Sequence, residues 1–175
     1  MPVSVSAQVV SPRKLAAVRR AVAPSAVATT WGPALDKVWG FIRSQPGLRT
    51  DGHNVFLYHH PTQPGDLLIC EFGVEVTRRF ESVSEVYATE TPAGEAVVAV
   101  HTGPYNRMSE AYAAIERWIA ENQRTSAGHS WEIYGDPTPD PADTETTIVH
   151  LLNEPGSSAC DTCRAWQVHN QEAER

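Results

Sequence analysis

The strongest constraint on this chain's fold is a motif that occurs twice. Four residues separate Gly52-His53 from Tyr58, and two more separate Tyr58 from Pro61. Gly128-His129 is followed at the same spacings by Tyr134 and Pro137. The flanks repeat too. Each copy comes after an amphipathic helical pattern and before a Pro-rich or acidic turn and an apolar strand. Upstream of each helix lies a similar strand, Leu15-Ala16-Ala17-Val18 and Val97-Val98-Ala99-Val100. Each half therefore reads strand, helix, strand, strand, over about residues 12–78 and 83–152. One helix on a small sheet buries too little apolar surface to stand alone. Two such units related by a pseudo-twofold can join their sheets and enclose a cleft at the junction, where ligand sites tend to form. The fold class expected is α+β: an antiparallel sheet, two helices and a central ligand cleft.

The helices follow from spacing. Leu35, Val38, Trp39 and Ile42 fall at i, i+3, i+4 and i+7, and Met108, Ala111, Tyr112, Ile115, Trp118 and Ile119 continue the same period. Pro33 suits a first turn, Pro46-Gly47 a stop, and Asn106 an N-cap. Strands are expected at Leu15–Val22, Val55–Tyr58, Leu67–Val76, Val83–Thr89, Glu95–Thr102, Ser130–Tyr134 and Thr146–Leu152, with Val3–Val10 as an extra edge. The turn at Thr91–Gly94 reads as a hairpin between the fourth and fifth of these. Residues 153–175 read as a polar tail.

The formal net charge of -7 sets an acidic chain against phosphate backbones. Arg13, Lys14, Arg19 and Arg20 form the best basic cluster and read as a solvated strand edge. No apolar run reaches the roughly 20 residues that a membrane span needs. The N-terminus lacks a basic region followed by an apolar one, which makes the cytoplasm the expected compartment.

One carboxylate stands out. In a strand, Glu132 and Tyr134 share a face while Trp131 and Ile133 share the other. The internal repeat sets Phe56 and Tyr58 at the places equivalent to Glu132 and Tyr134. A strand acid is by default solvated. If these faces meet at the junction, Glu132 instead sits among Phe56, Tyr58 and Tyr134, where charge and ring faces together suit a cation. Tyr105 and His101 could close one side, and Trp131 could serve the site or the core. Trp31, Trp39 and Trp118 read as core.

His101-Thr102-Gly103-Pro104-Tyr105, the helix at 108–122 and Trp131-Glu132-Ile133-Tyr134-Gly135-Asp136-Pro137 resemble the GyrI-like effector-binding family, also described as the AraC-type bacterial transcription-activator effector-binding domain. The resemblance implies one such domain over residues 1–152. It also implies small-molecule binding, often of lipophilic cations, with Glu132 in the position of the acidic cleft residue and Tyr134 beside it. The expected role is a stand-alone sensor or sequestering protein. Some family members are hydrolases of strained rings, which would make Glu132 a general base with Tyr134 or Tyr105 donating to the leaving group. Others act as inhibitor modules, which leaves a protein partner open. The regulators carry a helix-turn-helix unit for which the stretch before residue 12 is too short, so direct DNA contact is not expected.

No cofactor is expected, and no catalytic-triad spacing occurs. Cys160 and Cys163 with His169 supply three of the four ligands of a structural zinc and read by default as two reduced thiols. Cys70, in an apolar strand, reads as core.

Overall fold

A computed structural model describes residues 3–156. In chain order the elements are β1 (Ser4–Val10), β2 (Lys14–Val22), α1 (Val27–Arg43), β3 (Arg49–His59), β4 (Leu68–Val76), β5 (Tyr87–Glu90), β6 (Gly94–Thr102), α2 (Ser109–Glu121), β7 (Ser126–Tyr134) and β8 (Glu145–Leu152). The eight strands make one sheet in the order β1-β6-β8-β7-β3-β4-β2-β5, and every neighbouring pair is antiparallel. No helix among the described residues is long and apolar enough to cross a membrane.

The strand register carries the internal symmetry of the sequence. The two Gly-His motifs lie 76 residues apart. That offset carries the β3–β4 pairing of Phe56 with Phe72 onto the β7–β8 pairing of Glu132 with Ile148. It also carries Phe56 onto Glu132, and these two residues sit directly opposite each other where β3 meets β7. A twofold between two like units requires such a self-matching pair at its axis.

The outer strands depart from the expected hairpin. β5 pairs with β2, and β6 pairs with β1 and β8, so the Thr91–Gly94 turn is a crossover. The short strand ahead of each repeat's first strand, β1 before β2 and β5 before β6, pairs with the other half, an exchange of strands. The exchange also bends the sheet. β1 and β2 are six strand spacings apart, roughly 29 Å if flat, yet only Ser11–Arg13 joins them, a link that reaches about 14 Å at most. The sheet must curl until its edges meet. There, Thr91 N–H donates to Arg13 O at 3.0 Å and Arg13 N–H donates to Thr91 Oγ1 at 2.9 Å.

Curling gives the sheet two different faces. The inner face is filled by Leu15, Val55, Leu57, Val98, Trp131 and Val149. On the outer face, Leu35, Val38 and Ile42 of α1 pack on Phe72 and Val74. Ala111 and Ile115 of α2 pack on Val97, Ala99 and Ile148. α1 lies over β2 and β4 and α2 over β6, which leaves the central strands β3 and β7 running between the helices.

Three local expectations are corrected. α1 begins at Val27, so Pro33 lies inside it; Pro24 takes the N-terminal place, in a 3-10 turn that leads into the helix. Asn106 lies within a 3-10 turn, Tyr105–Arg107, which supplies the entry to α2 without a side-chain cap. The expected strand at Val83–Thr89 reduces to β5 after a bridge between Val83 and Val86. There Ser84 adopts a left-handed φ of 56°, which breaks the extended run.

Candidate functional site

The side chains of β3 and β7 that point between the helices are Phe56, Tyr58, Glu132 and Tyr134, as strand alternation requires once Val55, Leu57, Trp131 and Ile133 line the inner face. Glu132 is buried, with 6% of its surface exposed. Its carboxylate collects three phenolic donors. Tyr58 Oη donates to Oε2 at 2.9 Å and Tyr134 Oη to the same oxygen at 2.5 Å. Tyr112 Oη, from α2, donates to Oε1. None of the ion pairs among the described residues includes Glu132.

Rings complete the surround. Phe56 stands edge-on to Tyr134 at 4.8 Å between centroids and to Phe72 at 5.0 Å. Trp31 of α1 approaches Phe56 at 6.0 Å, and Tyr105 approaches Tyr134 at 5.5 Å. Trp31 and Tyr105 are 43% and 54% exposed, and so form an aromatic rim over a buried acidic floor. At the end of β7, Gly135 N–H donates to Glu145 O at 2.9 Å. A Cβ there would lie 2.8 Å from that oxygen, so only glycine lets β7 close on β8 directly after Tyr134.

Burial pushes the Glu132 carboxyl above the ordinary carboxylate value, against the lowering effect of Tyr112, Tyr134 and Tyr58. Burial and then the neighbouring carboxylate push Tyr58 and Tyr134 well above 10. Both phenols therefore remain protonated donors at neutral pH. Cys70, on the same face of β4, is core as expected, and its thiol is pushed up to about 12 by burial first and Glu132 second.

The site thus unites Glu132, Tyr134, Phe56 and Tyr58 and reaches Tyr105. It does not unite all the expected residues. Trp131 points to the inner face and is 2% exposed. His101 is buried on β6, with its Nε2 3.1 Å from Pro104 O. Tyr112 and Trp31 were missed. Tyr112 sits on a helical stripe that reads as core, and Trp31, ahead of the helix expected from Pro33, also reads as core; the available signal was that Tyr112 carries a hydroxyl into an otherwise apolar stripe, and buried hydroxyls need a partner.

His53 and His59 lie in β3 and His129 in β7. On the inner face, His59 Nε2 is 2.5 Å from Glu71 Oε2 and His59 Nδ1 is 2.9 Å from His129 Nδ1, while Tyr87 Oη donates to Glu71. His53 Nδ1 lies 3.7 Å from exposed Asp136. A hollow of about 600 Å³ opens on that side, with His53, Ile133, Asp136 and Thr147 in its wall; none of the tyrosine–carboxylate group lines it. No cluster of histidine, cysteine and carboxylate groups suited to a metal occurs among the described residues. Cys160, Cys163 and His169 lie outside the described residues.

The profile of the GyrI-like small molecule binding domain matches residues 5–150. The chain belongs to this family. The solved EcmrR C-terminal domain shares its fold at a TM-score of 0.72 and 21% identity, over 88% of this chain and 99% of that one. SAV2435, solved bound to tetraphenylphosphonium, aligns at a TM-score of 0.66 and 11% identity, over 86% and 94%. A hydrolase encoded by lin2189 from Listeria innocua aligns at 0.54 and 13%, over 86% and 92%. No curated protein sequence matches the chain significantly.

Proposed function

We propose that this GyrI-like domain binds an amphipathic organic cation between its two helices, with Glu132 as the counter-charge. It acts in the cytoplasm as a sensor or sequestering protein. The observation that carries this reading is a lone carboxylate, buried at the sheet centre and held by three neutral phenols instead of a cation. Three donors keep the charge tolerable but do not neutralise it. A cation with apolar groups supplies the missing charge, and its apolar surface meets Phe56, Trp31 and Tyr105. The likeness to SAV2435, a protein solved with a lipophilic cation, supports the same chemistry.

Calorimetric titration with tetraphenylphosphonium at pH 8 tests the proposal. Glu132→Gln keeps the shape and removes the charge, and should cost about 1–3 kcal/mol of affinity. Equal affinity in variant and wild type removes Glu132 from the site. A second reading, hydrolysis with Glu132 as general base, draws on its raised proton affinity. It predicts product from strained-ring electrophiles that Glu132→Gln abolishes, and absence of product across such a panel sinks it.

A further inference from the structure

The face that carries Glu132 also carries two polar atoms without a protein partner. His150 Nε2 and Thr146 Oγ1, both on β8, are buried and make no hydrogen bond. The register places them. Glu132 sits opposite Ile148, and the residues two away on either side, His150 and Thr146, stand opposite Ser130 and Tyr134. Strand alternation turns all of them toward the helices. The ring of Tyr112, whose hydroxyl holds Glu132, stands edge-on to the His150 ring at 5.7 Å. On the other side the His60 ring lies 6.2 Å away, its Nε2 2.7 Å from Ser130 Oγ.

An unpartnered buried nitrogen is costly, and a native fold keeps such an atom where something else satisfies it. We propose that His150 Nε2 is a second polar contact of the Glu132 site, and that the occupant is an N–H-bearing aromatic cation of the ammonium, amidinium or guanidinium class. This rests on the reading of Glu132 as counter-charge and names the class of cation. A quaternary ammonium or phosphonium ion meets the carboxylate but offers no hydrogen to the imidazole. An N–H cation meets both, donating to Glu132 and to Nε2 of a ring protonated at Nδ1. The imidazole can stand beside a cation because it stays uncharged. Burial holds the ring proton affinity down to about 4 for His150, and burial with His150, His129 and His59 holds it to about 3 for His60.

The test is a titration of 4-phenylbenzylammonium and its N,N,N-trimethyl counterpart into wild type, His150→Phe and Glu132→Gln at pH 7.5. The expected result is that wild type prefers the N–H probe. His150→Phe should lose about tenfold or more in affinity for that probe and leave the trimethyl probe unchanged. His150→Gln, which restores an acceptor, should recover part of the loss and guards against a folding defect in the Phe variant, as does a matching thermal melt. Glu132→Gln should weaken both probes. Equal effects of His150→Phe on the two probes, or none on either, overturn the inference while leaving the Glu132 reading intact. Indifference of both probes to Glu132→Gln overturns both.

Discussion

Removing one phenol from Glu132 should move the pH at which the site loses a cation. Tyr112→Phe keeps the ring beside His150 and deletes the hydroxyl that donates to Oε1. A hydrogen bond to an ionised acceptor contributes about 1.5–3 kcal/mol, and one pKa unit corresponds to about 1.4 kcal/mol. The Glu132 pKa, already raised by burial, should therefore rise by roughly a further 1–2 units. The ionised form binds the cation, so affinity for a permanently charged probe is constant above this pKa and falls tenfold per unit below it. Calorimetric titration of tetraphenylphosphonium from pH 4 to pH 9 gives that break point directly. Wild type should break above the ordinary carboxylate value of 4.5, and Tyr112→Phe roughly 1–2 units higher. Below both break points the variant binds about 10–100-fold more weakly; above both it binds no more weakly, because the remaining carboxylate is less satisfied. A loss that is uniform across pH, or an unmoved break point, refutes the idea that the phenols tune this charge.

Two further outcomes follow from the same structure. His150 folds with its proton affinity lowered from 6.5 to about 4, so between those values the unfolded chain binds more protons than the native one. Stability is therefore full above 6.5 and lost as pH falls toward 4, by roughly 3 kcal/mol for this residue alone. Melting temperatures at pH 7 and 4.5 should show that loss, and His150→Phe should reduce it; an equal drop in the variant argues against it. Trp131→Phe, in the inner-face core, should cost about 1–3 kcal/mol in chemical denaturation while leaving tetraphenylphosphonium affinity unchanged, and a changed affinity would tie Trp131 to the site.

Both helices and the shared face of Glu132, Tyr134, Phe56 and Tyr58 were legible because each rests on a local period or a repeated spacing. What escaped depends on partners distant in the chain. Strand periodicity says that Tyr87–Glu90 and Gly94–Thr102 are extended, but whether they pair with each other or with β2, β1 and β8 is decided across the whole sheet. Trp131 was open to either reading because alternation assigns it a face without saying which face the helices cover. Curling the sheet decides this by turning the Trp131 face inward. Tyr112 was hidden because an aromatic on a helical stripe reads as core whether its hydroxyl meets solvent, backbone or a carboxylate on another strand.

The pairing of Phe56 with Glu132 explains why the site has one carboxylate. Residues directly opposite on antiparallel strands have Cβ atoms about 5 Å apart. Identical copies would place two glutamates there, and at an effective dielectric of about 20 their repulsion is on the order of 3 kcal/mol. One of the two would then bind a proton and cease to act as a charge. Phe56 instead gives the axis one charged and one apolar side, which matches a cation that carries hydrocarbon. Phe56→Glu should restore the conflict. A carboxyl whose folded pKa is raised favours the native state when protonated and loses that advantage as pH rises, so the stability deficit against wild type should widen from pH 5 to pH 8 by roughly 2–3 kcal/mol. Denaturant titrations at both pH values measure it. A deficit that stays constant would mean that position 56 does not share its environment with Glu132.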